Sequence, residues 1–367
     1  MHSPDYVSIS LASAIALRLR SGRFYRHARP TCANLLLTYP QTCLANCAYC
    51  GLARERPGRG GDKSFIRVEW PIEPTSIVLD RLTTYGSEVK RVCLSMVTHG
   101  QAFRDTLDIV SRLKGAINTP LSVLIAPNLF DRQRLTELKA AGADMVGIGL
   151  DAASERIFEI RRGRAVRGGL SWAKYWRVIE AGVSVFDSGK VNCHLVVGLG
   201  ETDADLVATV QRLKDLGAPA YLFSFYPEPN SRMARARRPS LARWRRLQLV
   251  KHLLEGGRLG PEGIGFDEKG RIARLDVDGE ELKAVVLSGL PFVTDGCPGE
   301  DGSLACNRPF GSYRPGEPFR DYPFRPTGRD IRRIVTELRL GEVLVRRPLA
   351  RAASELVPAC AGERDVR

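Results

Sequence analysis

The sequence predicts an α/β fold in which parallel strands curl into a partial (β/α)6 barrel, with an N-terminal helical extension and a cysteine-bearing C-terminal segment. Three observations carry this. Six short apolar runs, Asn34–Tyr39, Arg91–Val97, Leu121–Ala126, Met145–Leu150, Lys190–Val197 and Ala220–Phe225, are rich in Val, Ile or Leu and too short to be helices. Amphipathic segments alternate with them, among them Pro74–Tyr85, Arg104–Ala116, Arg132–Ala141 and Asp203–Leu216, and Gly86, Gly142 and Gly217 stand where helix C-caps are needed. Strand-then-helix units in series imply a parallel sheet with right-handed crossovers, and six of them fall short of the eight that close a TIM barrel.

The expected boundaries follow from composition. Residues 1–30 read as the N-terminal helical extension, 31–258 as the barrel, 259–340 as a β-hairpin and metal-binding segment, and 341–367 as a polar tail. Leu241–Leu254 reads as the last barrel helix, and Glu268-Lys269-Gly270 as a hairpin turn. A chain of 367 residues with 44% hydrophobic content can bury a large core. No apolar run is long enough to span a bilayer. Leu11 to Leu19 is broken by Arg18, no convincing cleavage site follows, and it reads as a helix on the outside of the barrel. The expectation is a cytoplasmic protein without a membrane partner.

The formal charge of +14 calls for an acidic partner, whether nucleic acid, anionic lipid or an acidic carrier protein. Arg232, Arg235, Arg237, Arg238, Arg243, Arg245 and Arg246 crowd one stretch, and Arg161, Arg162, Arg164 and Arg167 follow the fourth strand. Together they read either as a positive rim or as a solvated helix face. No RNA- or DNA-binding motif accompanies them, so nucleic acid is not the expected partner.

The chemistry centres on Thr42-Cys43-Leu44-Ala45-Asn46-Cys47-Ala48-Tyr49-Cys50-Gly51, a C-x3-C-x2-C spacing just after the first strand. Three thiolates without a fourth nearby would leave one iron of a [4Fe–4S] cluster open to a small molecule. A structural zinc site needs four ligands, and none of the five histidines lies within a few residues of this loop. Disulfides are the other reading, but nine cysteines is an odd number and a cytosolic chain keeps them reduced. The cluster is preferred to zinc, and zinc to disulfides.

This spacing, the preceding strand and Tyr49 resemble the radical S-adenosylmethionine (SAM) superfamily. The resemblance implies a radical SAM (β/α)6 barrel, with Cys43, Cys47 and Cys50 as cluster ligands, SAM on the open iron, and an electron that cleaves SAM to a 5′-deoxyadenosyl radical. Tyr49 counts with the cofactor contacts. In parallel barrels, ligands bind at the carboxyl ends of the strands. Strand 2 ends in Ser95-Met96-Val97-Thr98, where many family members carry Gly-Gly-Glu, so Ser95 and Thr98 stand in for the SAM contact there. Asp151, at the tip of strand 4, resembles the residue that handles the ribose hydroxyls, an N-cap being the equal alternative. Val197-Gly198-Leu199-Gly200-Glu201-Thr202 looks like a turn of the biotin and lipoyl synthase branch, with Gly198 and Gly200 giving close backbone approach, or simply turning the chain. Tyr226 lies on an aromatic, proline-rich rim suited to the cofactor.

Strand alternation points Asn192 and His194 into the barrel as candidate substrate contacts, and Cys193 away from it. Cys93 sits where biotin synthases have a ligand of a second cluster, yet the other two ligand positions lack cysteine, so Cys93 and Cys193 are expected as buried hydrophobes.

Cys297 and Cys306, in a Gly/Pro-rich loop, read as metal ligands. With the segments around Pro30-Thr31-Cys32 and Lys63–Pro71, this loop resembles the archaeal-type split lipoyl synthases, nearest the member that adds the first sulfur. In that family the pair is usually C-P-x-C, whereas here eight residues separate the two. The resemblance implies a second, auxiliary [4Fe–4S] cluster that donates sulfur, with Cys297 and Cys306 as two ligands, facing the first trio across the barrel mouth. Cys32 and Ser312 are further candidates. Cys32 precedes strand 1, however, and should lie at the bottom of the barrel, about 20 Å from Cys43 at ~3.3 Å per residue. Ser312 reads more plainly as a turn serine, and Cys360 as a free thiol in the tail.

The expected activity is sulfur insertion, at C6, into a protein-bound octanoyl-lysyl chain. It would use SAM and two [4Fe–4S] clusters, an acidic octanoylated lipoyl carrier domain, a second radical SAM lipoyl synthase protein, and an electron donor such as ferredoxin or flavodoxin. The alternatives are a biotin-synthase-like sulfur insertion on a small molecule, and a structural metal in a basic nucleic-acid-binding protein.

Overall fold

The computed structural model describes residues 1–41, 43–57, 68–307 and 318–345, with only the backbone given at residue 27. Ser312, Cys360 and the segment 63–67 lie outside the described residues.

Eight strands form one sheet in the order β3-β1-β2-β4-β5-β6-β7-β8. Six of them are parallel: β2 (Cys32–Leu37), β4 (Arg91–Ser95), β5 (Leu121–Ile125), β6 (Met145–Asp151), β7 (Val191–Val197) and β8 (Ala220–Ser224). These are the six expected strands, each within a few residues of its sequence bounds. The helices between them are α2 (Thr75–Tyr85), α3 (Ala102–Ala116), α4 (Arg132–Ala140), α5 (Glu155–Arg161), α6 (Trp172–Phe186) and α7 (Asp203–Asp215). Helix α8 (Leu241–Glu255) follows β8.

Alternation along each strand decides what faces where. Leu35, Val92, Leu94, Val123, Ile148, Cys193 and Leu195 are buried under the helices. Asn34, Leu36, Cys93, Ser95, Ser122, Leu124, Gly147, Gly149, Asn192, His194, Val196, Tyr221 and Phe223 line one shared cavity. A sheet whose six parallel strands all contribute to a single cavity is curled around it.

The N-terminus differs from expectation. It begins with strand β1 (Tyr6–Ile9), antiparallel to both β2 and the short β3 (Ile72–Pro74), which extends the sheet beyond the barrel. Helix α1 covers only Leu11–Ala16 and is tied to the start of β2, where the Ser13 hydroxyl donates to the Cys32 carbonyl (3.4 Å) and accepts from the Asn34 N–H (2.8 Å). Its residues Ala12, Ser13 and Ala14 are buried, because the apolar stretch packs on the barrel rather than running on through the arginines.

After α8 come β9 (Ile264–Phe266) and β10 (Ile272–Leu275), paired antiparallel at the expected hairpin, with β11 (Leu344–Val345) added in parallel. Helices α9 (Gly279–Ser288) and α10 (Gly328–Leu338) complete this unit. The arginine-rich stretch is partly consumed here, which corrects the solvated-rim reading. Arg245 is fully buried and binds Glu337, Gln248 and the carbonyls of Phe319 and Arg320. Arg243 pairs with Glu201 and Asp203, and Arg246 with Glu342 and the Leu338 carbonyl. A buried guanidinium has to be paired: Arg245 and Arg246 form the seam between α8 and the C-terminal unit, while Arg243 ties α8 to the turn at the start of α7.

Candidate metal centres and the cavity between them

The C-x3-C-x2-C loop leaves β2 and is pinned by backbone hydrogen bonds. Leu44 N donates to Thr98 O (2.7 Å), Ala48 N to Arg161 O (2.8 Å) and Arg54 N to Ala45 O (2.8 Å). Asn46 is buried and stitches the loop shut, donating to the Val166 carbonyl at 2.6 Å and accepting from Glu55 N at 3.2 Å. Arg167 and Arg232 close on the Glu55 carboxylate from two sides. Cys43, Cys47 and Cys50 therefore gather on the cavity wall at the carboxyl end of the strands. Two of their sulfurs already accept backbone hydrogen bonds, Cys43 from Thr98 N and Cys50 from Leu52 N, each at 3.4 Å. Burial, then the neighbouring thiols, pushes the Cys50 thiol up, and burial and Cys47 do the same to Cys43. Crowded thiols that hold their protons in isolation give them up to a metal, so this donor set fits a cluster.

Beside the trio, the Tyr49 hydroxyl donates to the Asp151 carboxylate, and Arg162 lies 3.5 Å from the same carboxylate. Arg162 also donates to the carbonyls of Gly149 and Leu150 and, at 3.2 Å, to the Tyr175 hydroxyl. Asp151 adopts φ +59, a conformation that aspartate tolerates better than most residues. It is not the N-cap of α5, a position that falls to Ser154, and it faces the cavity instead. Burial opposes the Arg162 charge, but Tyr175, Tyr49 and Asp151 outweigh it and raise its pKa.

The other expected cofactor residues divide. Ser95, Thr98 and Tyr226 line the cavity, with the Arg238 guanidinium 5.0 Å from the centre of the Tyr226 ring. Gly198 and Gly200 do not line it. Both require glycine, with φ +112 and +118, yet the N–H groups of Gly198, Leu199 and Gly200 all donate to the Glu201 carboxylate at 2.8 to 3.0 Å. The turn is filled by its own side chain, which corrects its reading as a cofactor contact.

The second thiol set is the larger correction. Cys297 and Cys306 are brought together by a hairpin in which Ala305 N and Cys306 N donate to Cys297 O (3.1 and 3.0 Å) and Gly299 N to Ser303 O (2.8 Å). The eight-residue insert thus folds back on itself. At Gly296 a Cβ would fall 2.0 Å from the Cys306 carbonyl, so only glycine permits the approach. The hairpin does not sit at the barrel mouth but at the floor. Thr31 Oγ1 donates to Ala305 O (2.6 Å), Asn307 bonds Thr31 N and Arg29 O, and Lys90 pairs with Asp301. Cys32 does lie at the bottom, as its place in the sequence requires, and it packs there with Cys297, Cys306 and Cys93. Cys93 is therefore not filler under a helix. It faces inward as cross-strand neighbour of Asn34 and Ser122, while Cys193 is filler as expected.

Asn192 also changes role. It is fully buried and donates to Val146 O (3.2 Å) and to Cys297 Sγ (3.4 Å), so its amide serves the floor rather than the middle of the chamber. His194 stays on the cavity wall, its ring 4.7 Å from that of Phe223.

Between the two thiol sets runs one cavity of about 310 Å³, at the lower end of the range for small-ligand sites. Cys93 lies in the middle of β4, whereas Thr98, whose N–H meets the Cys43 sulfur, lies three residues beyond the carboxyl end of that strand, so the two thiol sets sit at different depths of the cavity. Its charged lining residues, Asp151, Arg162, Glu228 and Arg238, all come from the mouth side. Below them the walls are Leu36, Leu124, Val196, Tyr221 and Phe223 with small polar groups. Among the described residues no helix is long and apolar enough to cross a membrane.

Trp70, which lines the cavity, Asn46, Arg162 and Tyr175 were not anticipated. Only Arg162 carried a sequence signal, as one of four arginines after the fourth strand.

The family described as the Radical SAM superfamily matches residues 37–213. Curated relatives include a biotin synthase of Coxiella burnetii, 23% identical over 178 residues (48% of this chain, 51% of that protein). Another is biotin synthase 2 of Frankia casuarinae, 26% identical over 216 residues (58% and 55%). The chain spans about half the length of the curated relatives it matches. Among solved structures, a methylornithine synthase aligns with 15% identity over 92% of this chain and 88% of its own, TM-score 0.47. The FeFe-hydrogenase maturase from Carboxydothermus hydrogenoformans aligns at 13% over 94% and 72%, TM-score 0.48.

Proposed function

We propose that this enzyme, whose residues 37–213 match the Radical SAM superfamily, inserts sulfur into an apolar acyl chain, an octanoyl group carried on a lysine of a lipoyl domain. The observation that carries the reading is the single cavity with cysteines at both ends: radical generation at one end and a sulfur source at the other need a shared chamber. Curated relatives named biotin synthase support the sulfur chemistry.

A [4Fe–4S] cluster on Cys43, Cys47 and Cys50 supplies, when bound, the electron that cleaves SAM. The chain's own residues do the rest. Thr98 N and Leu52 N hold the thiolate sulfurs of Cys43 and Cys50. Tyr49, Asp151 and Arg162 form a rigid polar edge at the mouth, where the polar parts of SAM belong. Val196, Tyr221 and Phe223 keep water from the radical and offer an alkyl chain a surface without charge. His194, on the cavity wall, is the candidate for orienting the substrate's far end. The absence of charged lining in the lower chamber, among the described residues, favours an acyl tail over a substrate with a carboxylate at that depth.

Arg164, Arg235 and Arg237 stay exposed near the mouth, which suits an acidic carrier domain. A second radical SAM protein would add the other sulfur, and a ferredoxin or flavodoxin would deliver the electron, in the cytoplasm. The test is to incubate protein reconstituted with iron and sulfide with SAM, reductant and an octanoyl-lysyl peptide, and to measure peptide mass. A gain of one sulfur is expected. 5′-Deoxyadenosine without sulfur on this peptide, but with sulfur on a free small molecule, would favour the biotin-synthase-like alternative.

A further inference from the structure

We infer that Cys32, Cys93, Cys297 and Cys306 are the complete ligand set of a second iron–sulfur cluster, a closed four-thiolate site in the floor of the barrel. The inference deepens the sulfur-insertion reading by naming the donor's ligands, and it stands or falls separately from the choice of substrate.

Four facts meet at this place. Two of the cysteines come from neighbouring parallel strands and face inward, Cys32 opening β2 and Cys93 in the middle of β4. The other two are delivered by the hairpin that is bolted beneath the same strands through Thr31, Lys90 and Asn307. The four side chains meet: Cys32, Cys297 and Cys306 belong to one small buried cluster, and Cys93 packs against it. Finally, Asn192 already donates a hydrogen bond to a sulfur of the set, as cluster thiolates require, and its buried Oδ1 has no partner among the described residues.

A mononuclear ion fits less well. Zinc draws its four ligands to one point. In a cluster each thiolate binds a different iron, so the sulfurs surround a volume. Three of the four, Cys93, Cys297 and Cys306, open onto the cavity.

A cluster with four thiolates is anionic and needs a counter-charge when buried. Arg91 provides it. It is 1% exposed, donates to the Pro298 carbonyl next to Cys297 at 2.5 Å, and grips Asp144 with two bonds of 2.6 and 2.8 Å.

The test uses the full chain with Cys43, Cys47 and Cys50 replaced by alanine, reconstituted with iron and sulfide. It should retain about four irons, one [4Fe–4S] cluster's worth, with a charge-transfer absorbance and an EPR signal on reduction that SAM does not alter. In that background Cys93→Ala should lose this iron and sulfide, whereas Cys193→Ala, a fully buried cysteine on β7 that packs under the helices, should keep them. Circular dichroism confirms that both variants are folded. Zinc without sulfide, or full iron in the folded Cys93→Ala variant, overturns the assignment. If the iron behaves as expected but no sulfur reaches the octanoyl peptide, the ligand set holds and the substrate reading fails.

Discussion

The side-chain amide of Asn192 in the seventh strand donates to the sulfur of Cys297, 105 residues further along the chain, at 3.4 Å. An N–H aimed at a thiolate favours the more negative, reduced state of any cluster bound there. Asn192→Leu should lower the midpoint potential of the floor cluster by some tens of millivolts and leave that of the first cluster unchanged. Potentiometric EPR titration checks this, and an equal shift in both clusters would refute it.

Cys43→Ala, or the same change at Cys47 or Cys50, should abolish SAM cleavage, with 5′-deoxyadenosine falling to background by chromatography. The floor iron should remain, because the two thiol sets share no ligand.

Gly147 keeps the chamber open. A Cβ there would stand 3.1 Å from both Asn192 Oδ1 and Leu124 Cδ1. Gly147→Val should therefore block the path between the two metal sites. The expected outcome is sulfur transfer reduced at least tenfold with SAM cleavage retained, measured as the ratio of sulfurated peptide to 5′-deoxyadenosine.

Gly198→Ala should cost about 1–3 kcal/mol of stability, since φ +112 is strained for alanine and its Cβ would lie 2.9 Å from Pro239 Cδ. Because the turn is satisfied by Glu201, SAM affinity in the folded fraction should be unchanged. Thermal denaturation and equilibrium dialysis together separate a turn glycine from a cofactor glycine.

Asp330 ties α10 to the N-terminal segment through two hydrogen bonds with Arg26, both 2.8 Å. Burial opposes its charge, but Arg26 and Thr327 outweigh that and lower its pKa. A lowered folded-state pKa gives stability that is fully present above the unfolded value of about 3.9 and is lost as pH falls through the folded value. Asp330→Asn should thus destabilise the protein by about 2 kcal/mol at neutral pH and by progressively less below pH 4, in urea melts across that range.

The barrel was legible because its signal is local. Short Val-, Ile- and Leu-rich runs and C-cap glycines are written within a dozen residues, and all six strands were found where they were expected. The first cysteine trio was legible for the same reason. The floor site was not, because its geometry depends on register and on a loop more than 200 positions away. Cys32 was placed at the bottom correctly, but the late hairpin was expected at the mouth, so the two seemed too far apart to meet. Cys93 offers the sharper lesson. Strand alternation alone puts it on the same face as Ser95, inside the chamber, and that periodicity outweighs the general tendency of free cysteine to serve as filler. Arg245 shows the opposite failure: a charge-dense helix looks solvated until a second unit packs over it.

The floor hairpin also sets apart two kinds of assembly. Cys43, Cys47 and Cys50 are kept close by sequence alone, within eight residues of one another, whereas Cys32 and Cys297 are 265 residues apart and meet only when the hairpin docks beneath the strands. The proposed floor centre would therefore be loaded into a folded barrel, and any change that loosens the hairpin should cost its metal before it costs that of the first loop.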